Sequence, residues 1–471
     1  MASMMSMWAK RASKIFSFTR NLVNAAGRRY ILSEAYSCNE TWEKRLQSPV
    51  FQNVDVNDFV LKLHDKFEKE GSVTAIDMDI LANKLQDVSI IQLDFVDKLF
   101  YRFRHTQDAL QIMPSTPYSL IRAYIDQGES DRLVDIIQDK IGYGMFPDFY
   151  SANILMDHLI KMKNYLDAAR VACEMALQED LSNEVTRLLV LNSCHLCLQN
   201  PVEIEEEEPE PPAPPSDEVT YMRVPYIRNP HYDDHFDLTD EDVLLGKTLN
   251  FVGRLQNDII GRSSQVIGLA KYQKFDKALA LMKQYLETTE ESSITENVLD
   301  ILKTTLDKVE TVDPEEANNP GMPKKLTAEM KETFMKELEE LSAKLKAANK
   351  VSTEDLHKLV TDYVTSELPK YEEKDIHDQK RIMEEWSVNR EESLASQVKR
   401  YEDTQKKQEL IRKMKELRKK EEFLNYYAMK DKILLAESKV PKPKKKKLKE
   451  EIDENVLALL KQSEKREKNL V

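Results

Sequence analysis

Three short motifs in the sequence combine residue types that could do chemistry. Cys194-His-Leu-Cys197 offers thiols and an imidazole for zinc, but no second pair of ligands follows at zinc-finger spacing. Gly246-Lys-Thr248 matches the end of a phosphate-binding loop, which requires a glycine five residues earlier, where the sequence has Glu241. His231 and His235 flank two aspartates in a Pro- and Asp-rich loop that fixes no metal geometry.

None of these motifs predicts a working active site. The eight histidines are scattered, and no nucleophile, base and orienting group can be grouped from the sequence. We therefore predict that the protein is not an enzyme and has no cofactor, metal site or small-molecule substrate. Cys194 and Cys197 lie beside leucines in a helical segment, so we interpret them as small buried thiols. Four unevenly placed cysteines do not make a disulfide framework and favour a reducing setting.

Basic stretches offer a different chemistry, the binding of nucleic-acid phosphate. Residues 399–449 hold 19 Lys or Arg against 8 Asp or Glu, a local net charge of +11, although the whole chain carries −14. Phe100-Tyr-Arg-Phe-Arg-His105 interleaves aromatic and basic residues, which can stack on bases and meet phosphates. The alternatives are a solvated basic helix and tail in the first stretch, and a helix with a core side and a cationic side in the second. The candidate RNA contacts here are Arg102, Arg104, Arg412, Lys413, Arg418, Lys419, Lys420, Lys444 and Lys445.

Paired helices are the elements that must position these stretches. Only 10 glycines and 32% charged residues favour helix over sheet. Residues 117–180 contain one helix–turn–helix pattern twice, with Asp131 and Asp167 36 residues apart, and the turn and second helix recur around Asp276. Such pairs cannot bury their apolar faces alone, so we predict an all-α fold built as an α/α solenoid. An ordinary helical domain with two chance hairpins is the alternative.

Changes in composition divide the chain into predicted segments. Residues 1–33 contain six Lys or Arg and no acid, which is typical of a mitochondrial presequence; a disordered basic arm is the alternative. A long exposed helix, paired in part with the preceding helix, is predicted from Asp375 to about Leu435. The longest apolar stretch is too short to span a bilayer, so we expect no membrane contact. The predicted segments are a presequence at 1–29, helical repeats at 30–200, an acidic Pro-rich linker or insertion at 201–237, further repeats at 238–312, a linker at 313–325, a long helical hairpin of coiled-coil character at 326–440, basic toward its end, and a basic tail with a short helix at 441–471.

Several motifs carry a resemblance to a known family. Gly144-Met-Phe-Pro-Asp148, Leu120-Ile-Arg-Ala-Tyr124 and the Asp-x-Ala pairs resemble pentatricopeptide repeats. With Arg29-Tyr-Ile-Leu-Ser-Glu-Ala-Tyr36 and Lys163-Asn-Tyr-Leu-Asp-Ala168, the chain is similar to the pentatricopeptide-type proteins of the mitochondrial small ribosomal subunit. The resemblance is good over 29–180 and moderate over 240–285; the Pro/Glu insertion and the lysine-rich tail fall outside it.

That resemblance implies a non-catalytic structural component in the mitochondrial matrix, with small-subunit rRNA and other mitochondrial ribosomal proteins as partners. In sequence-reading pentatricopeptide proteins, a residue in the first helix of each repeat faces a single-stranded base. Alignment of the motif puts Ser119 and Asn153 in those places. Two alternatives stay open: a free mitochondrial RNA-binding repeat protein acting in transcript processing or translation activation, and a helical scaffold without RNA.

Overall fold

The structure is a computed structural model that describes residues 31–87, 93–201, 238, 240–288, 292–311 and 326–439. Its α-helices are α1 Asn39–Lys44, α2 Pro49–Gln52, α3 Val56–Glu70, α4 Ala75–Lys84, α5 Leu93–Arg104, α6 Ser115–Gln127, α7 Ser130–Gln138, α8 Phe149–Lys161, α9 Tyr165–Leu177, α10 Glu184–Gln199, α11 Glu241–Arg254, α12 Ile259–Lys271, α13 Phe275–Thr288, α14 Glu296–Lys308, α15 Ala328–Ala347 and α16 Leu356–Lys439. Short 3-10 helices lie at Glu34–Ser37, Arg45–Gln47, Leu85–Asp87 and Gln107–Gln111. Strands β1 (Ile294–Thr295) and β2 (Val351–Ser352) pair in parallel. The predicted all-α class is confirmed.

The chain divides into two units, residues 1–394 and residues 395–471. In the first unit, helices α4, α6, α8 and α10 pack one against the next, and α7, α9 and α11 pack in the same sequence as a second layer. This is the stacking of hairpins that a solenoid requires. The assignment of these hairpins to the pentatricopeptide type stays a prediction. Within the described ranges, no helix combines the length and apolarity that a bilayer span needs.

Local sequence explains where the two predicted hairpins begin and turn. Gly128 ends α6 in the left-handed conformation, with φ of 78°, which glycine adopts without steric cost. The Asp148 side chain accepts a hydrogen bond from the Ser151 N–H at 2.9 Å and caps α8, while Asn164 caps α9 in the same way through the Asp167 N–H. The helices α6 to α9 therefore lie where the sequence predicts them.

Four glycines bring α11 and α12 into close contact. A Cβ atom added to Gly268 would lie 2.4 Å from the Asn250 backbone nitrogen, and one added to Gly253 would lie 2.7 Å from the Gly261 carbonyl oxygen. Gly246 and Gly268 face each other at the other end of the same crossing. Gly246 in the Gly-Lys-Thr motif thus serves the approach of two helix backbones, which any larger residue would separate.

Helices on either side of the predicted acidic insertion pack directly on each other, since α11 contacts both α9 and α10. In the C-terminal third, α15 packs against α13 and α14. The predicted segment boundaries, including the hairpin at 326–440, stay predictions.

The long helix α16 differs from the prediction in its start and in its exposure. It begins at Leu356, well before Asp375, and runs through Pro369. From Leu356 to Arg390 it is not an exposed helix, because its residues at helical spacing are buried; they include Leu368, Asp375, Gln379, Trp386 and Arg390. The predicted exposure, which began at Asp375, was wrong between Asp375 and Arg390, where polar residues at buried positions concealed the buried face.

Those buried polar residues of α16 bind the first-helix layer of the solenoid. Arg390 Nε donates to Asp79 Oδ2 at 2.6 Å, and the two side chains are 4% and 0% exposed. Ser115 and Thr116 hydroxyls also donate to this carboxylate. Gln379 Nε2 donates to the Tyr118 hydroxyl at 2.6 Å. We call the set Glu372, Asp375, Gln379 and Arg390 the polar ladder; it joins the C-terminal third of the chain to its N-terminal repeats.

Replacing Arg390 with leucine should strongly destabilise the first unit. The change leaves the buried Asp79 carboxylate without its cation, which typically costs about 3–5 kcal/mol. Thermal and urea unfolding, followed by circular dichroism, measure the loss. The control is Arg418→Leu, which removes an exposed guanidinium 4.0 Å from Glu422 and should change stability by less than about 1 kcal/mol. Equal stability of the two variants would contradict the role assigned to the ladder.

Candidate nucleic-acid interface

The two residues predicted to face RNA bases lie inside the protein. Ser119 is buried in α6 and its hydroxyl donates to the Ser115 carbonyl oxygen at 2.6 Å. Asn153 is buried in α8 and its Nδ2 donates to the Tyr36 hydroxyl at 2.7 Å. Neither side chain is accessible to a base in this arrangement, so base contact would require these internal hydrogen bonds to break.

The polar ladder explains why this face of the repeats is closed. The Tyr36 hydroxyl donates to Asp375 Oδ2 at 3.1 Å, and Asn183 Nδ2 lies 2.9 Å from each oxygen of the same carboxylate. The pKa of Asp375 is raised above its usual value because of burial, and the hydrogen bonds from Asn183 and Tyr36 offset only part of this increase. One connected chain of hydrogen bonds thus joins Asn153, Tyr36 and Asp375. Through Asp375, α16 covers the surface beside the first helices of the repeats.

The segment Phe100–His105 has an apolar side and a cationic side. Phe100 and Phe103 are buried in the core, whereas Tyr101 and His105 are exposed with ring centroids 4.7 Å apart. Arg102 Nη1 lies 2.8 Å from Glu68 Oε1, and its guanidinium lies over the Phe67 ring. Arg104 packs over Gly144, close enough that a Cβ atom there would collide with its guanidinium. This geometry matches the amphipathic alternative, since one arginine is ion-paired and the other is packed against backbone.

The basic part of α16 is the most accessible of the candidate surfaces. Every residue from Lys399 to Lys439 is exposed, and 13 Lys or Arg against 8 Asp or Glu give this span a net charge of +5. Lys444 and Lys445 lie outside the described residues. The predicted contacts Arg412, Lys413, Arg418, Lys419 and Lys420 all lie on this exposed helix.

The five basic residues do not share one face of α16. A helix turns by about 100° per residue, so spacings of three, four and seven residues return to the same face. Such spacings connect Leu410, Met414, Leu417 and Leu424, which form an apolar seam. On this geometry Arg412 and Lys419 lie opposite the seam. The remaining three, Lys413, Arg418 and Lys420, lie beside it.

The motif Cys194–Cys197 lies in α10, where both cysteines are protonated thiols and His195 between them is neutral. Burial raises the pKa of Cys194 well above its usual value, and burial raises the pKa of Cys197 to about 11. His195 is buried and its Nε2 lies 2.9 Å from the Ser264 hydroxyl oxygen. No group of three or more His, Cys, Asp or Glu side chains suited to a metal ion occurs in the part of the chain that the structure describes.

His195 should make the fold sensitive to acid. Burial, followed by the neighbouring His357, lowers the pKa of His195 to about 3. The unfolded chain takes up a proton below about pH 6.5 and the folded chain does not, so the free energy of unfolding falls as pH decreases from 6.5 toward 3. The midpoint temperature of thermal unfolding should therefore be lower at pH 5.5 than at pH 7.5.

The variant His195→Gln keeps a polar group that can hydrogen-bond to Ser264, and it should reduce that pH dependence. His377→Gln, which changes an exposed histidine of α16, should leave it as in the wild type. Thermal unfolding followed at several pH values gives the comparison. If His195→Gln left the pH profile unchanged, the buried histidine would not be its source.

Sequence reasoning missed the polar ladder. Its residues step by three, four and eleven along α16, which is a helical face. A pattern search that accepts only apolar residues as buried passes over Asp375 and Gln379. The usable signal was the apolar pair Met383 and Trp386, which continues the same face.

The chain matches a family of known proteins over most of its length. A family model described as mitochondrial 28S ribosomal protein S27 matches residues 1–417. The match covers both layers of the solenoid and the polar ladder. It ends within α16, at Leu417 of the apolar seam.

Proposed function

The chain belongs to the mitochondrial 28S ribosomal protein S27 family, and we propose that it binds small-subunit rRNA through the basic part of α16. Membership makes it a mitochondrial protein of the small ribosomal subunit. The finer role is our proposal: the solenoid docks against neighbouring ribosomal proteins while α16 neutralises rRNA phosphates in support of mitochondrial translation. The segment 1–29, outside the described residues, is the proposed import signal.

Exposure and charge together are the observation that supports the RNA contact. Arg412 and Lys419 lie seven residues apart on the outward face of α16, and Tyr426 follows seven residues later on the same face. Lys and Arg release the counterions of nucleic-acid phosphate, and an aromatic ring next to them can stack on an unpaired base. The whole chain is acidic, so we assign the contact to this helix and not to the overall field.

We propose that the repeats recognise the shape of their surroundings and do not read bases. The support is the burial of Ser119 and Asn153 beneath the polar ladder. Reading a base at Asn153 would require its buried hydrogen bond to the Tyr36 hydroxyl to break, which carries a desolvation cost. Arg102 and Arg104 are weaker candidates than the α16 residues, because Arg102 is already paired with Glu68.

Reversing the two outward charges of α16 should weaken RNA binding. We expect Arg412→Glu with Lys419→Glu to lower the affinity of the full chain for small-subunit rRNA by at least about tenfold at low salt. The slope of log affinity against log salt should also decrease by about 1–2, because two phosphate contacts are lost. Fluorescence anisotropy with labelled rRNA fragments over a salt series measures both values.

A matched control makes the same change in net charge at exposed positions of another helix. Lys336→Glu with Lys344→Glu places the same four-unit change on α15, which carries exposed lysines at both positions. This control should bind rRNA nearly as the wild type does. Equal loss in both double variants would show a dependence on net charge alone and would remove α16 from the proposal.

Sedimentation separates the ribosomal role from that of a free RNA-binding repeat protein. The endogenous protein should co-migrate with the small subunit in a sucrose gradient of mitochondrial lysate, and incorporation of the Arg412→Glu, Lys419→Glu variant should fall more steeply as salt rises. A pool that remains in the free fractions bound to one transcript would favour the alternative.

A further inference from the structure

An apolar seam runs along the exposed end of α16, and no element of the described residues covers it. Its members are Leu410, Met414, Leu417, Leu424, Ala428 and Leu435. The five large side chains among them are between 59% and 69% exposed. The spacings of four, three, seven, four and seven residues keep one heptad register over 26 residues. A seam of this kind costs free energy in water and is typical of one strand of a coiled coil.

The residues beside the seam have one sign of charge. In a coiled coil, the positions that flank the apolar seam choose the partner through their charges. Those positions in α16 are Lys413, Lys420, Tyr427 and Leu434 on one side, and Ile411, Arg418, Asn425 and Lys432 on the other. Four of the eight are basic and none is acidic. All four basic residues occupy register positions beside which a partner helix would place its own flanking residues.

We propose that this seam binds an amphipathic helix of another protein, with apolar residues in its seam and Glu or Asp at the positions that flank it. Opposite charges across flanking positions favour pairing, whereas like charges destabilise it. In a parallel pair of α16 helices, Lys413 of one copy would face Arg418 of the other, and Glu421 and Asp431 would each meet their own counterparts. These like charges disfavour a second copy as the partner. RNA is also a poor occupant, because phosphate cannot cover Leu410, Leu417 and Leu424.

Two polar residues within the seam refine the description of the partner. Glu421 and Asp431 occupy seam positions between the leucines. An acidic group buried in a coiled-coil seam is tolerated when a basic residue of the partner meets it, and such a pair fixes the register. The partner helix should therefore carry Lys or Arg opposite Glu421.

The first test uses a synthetic helix as the probe. The peptide has leucine at the seam positions, glutamate at every flanking position and lysine opposite Glu421. We expect it to bind the full chain and to bind at least about tenfold more weakly when Leu410, Leu417 and Leu424 are changed to glutamine. The three side chains are exposed, so these changes should leave the unfolding temperature unaltered. A peptide with lysine at the flanking positions should not bind.

Variants of the opposite face separate this proposal from RNA binding. Arg412→Gln with Lys419→Gln should weaken rRNA binding and change peptide affinity by less than about twofold. The leucine-to-glutamine variant should do the reverse. Loss of peptide binding in the Arg412, Lys419 variant, or equal binding of the lysine-flanked peptide, would show attraction by charge alone and would overturn the proposal.

The second test identifies what covers the seam in mitochondria. A photo-crosslinking amino acid at Leu417 or at Arg412 is introduced into the full chain, and crosslinked products are sequenced from isolated small subunits. Position 417 should yield a peptide of another protein with acidic residues flanking an apolar heptad. Crosslinks from position 417 to rRNA, to a second copy, to residues 440–471 of the same chain, or to a peptide without acidic flanks would each contradict the proposal.

Discussion

Arg390 and Asp79 are 311 residues apart in the sequence, and their buried contact holds the first unit in its observed arrangement. Taking two charges out of water is costly, and Asp79 recovers this cost only because Ser115 and Thr116 also donate to it. Two more buried polar groups find their partners in the polar ladder of α16. Gln379 hydrogen-bonds to the Tyr118 hydroxyl, and Asp375 accepts from the Tyr36 hydroxyl. The closed face of the repeats and the burial of Asn153 both depend on this docking.

A residue that a sequence motif assigns to binding can have a structural role when another element covers the surface on which it lies. The resemblance to pentatricopeptide repeats predicted that Asn153 faces a base, whereas in the structure its amide donates to Tyr36 inside the protein. Gly246 is a similar case, because its Gly-Lys-Thr setting suggests phosphate whereas its surroundings show a helix crossing with backbone atoms under 3 Å from a missing Cβ. In both cases the surroundings of the residue in the fold, which the local motif does not contain, determine what it contacts.

Local physical signals predicted the hairpins well. Apolar periodicity, the left-handed glycine at Gly128 and the capping residues Asp148 and Asn164 all act within a few residues, so they are visible in the sequence. The start of α16 and its buried face could not be predicted in the same way. Asp375, Gln379 and Arg390 looked solvated because their partners lie 192 to 339 residues away. For the candidate interface, the sequence indicated the basic helix correctly as exposed, but not that its charges divide between two faces.

The docking of α16 also has a consequence for how the chain matures. A polypeptide threaded into an organelle from its N-terminal end delivers Tyr36, Asp79 and Tyr118 long before Asp375, Gln379 and Arg390. Until those late residues arrive, the carboxylate of Asp79 and the hydroxyl of Tyr118 have no partner from α16, and the first helices of the repeats remain uncovered. Contacts this remote in sequence are slow to close, and uncovered apolar helices are prone to aggregation. The early repeats should therefore depend on chaperone protection during translocation, and a chain cut short before residue 390 should be a target for matrix proteases.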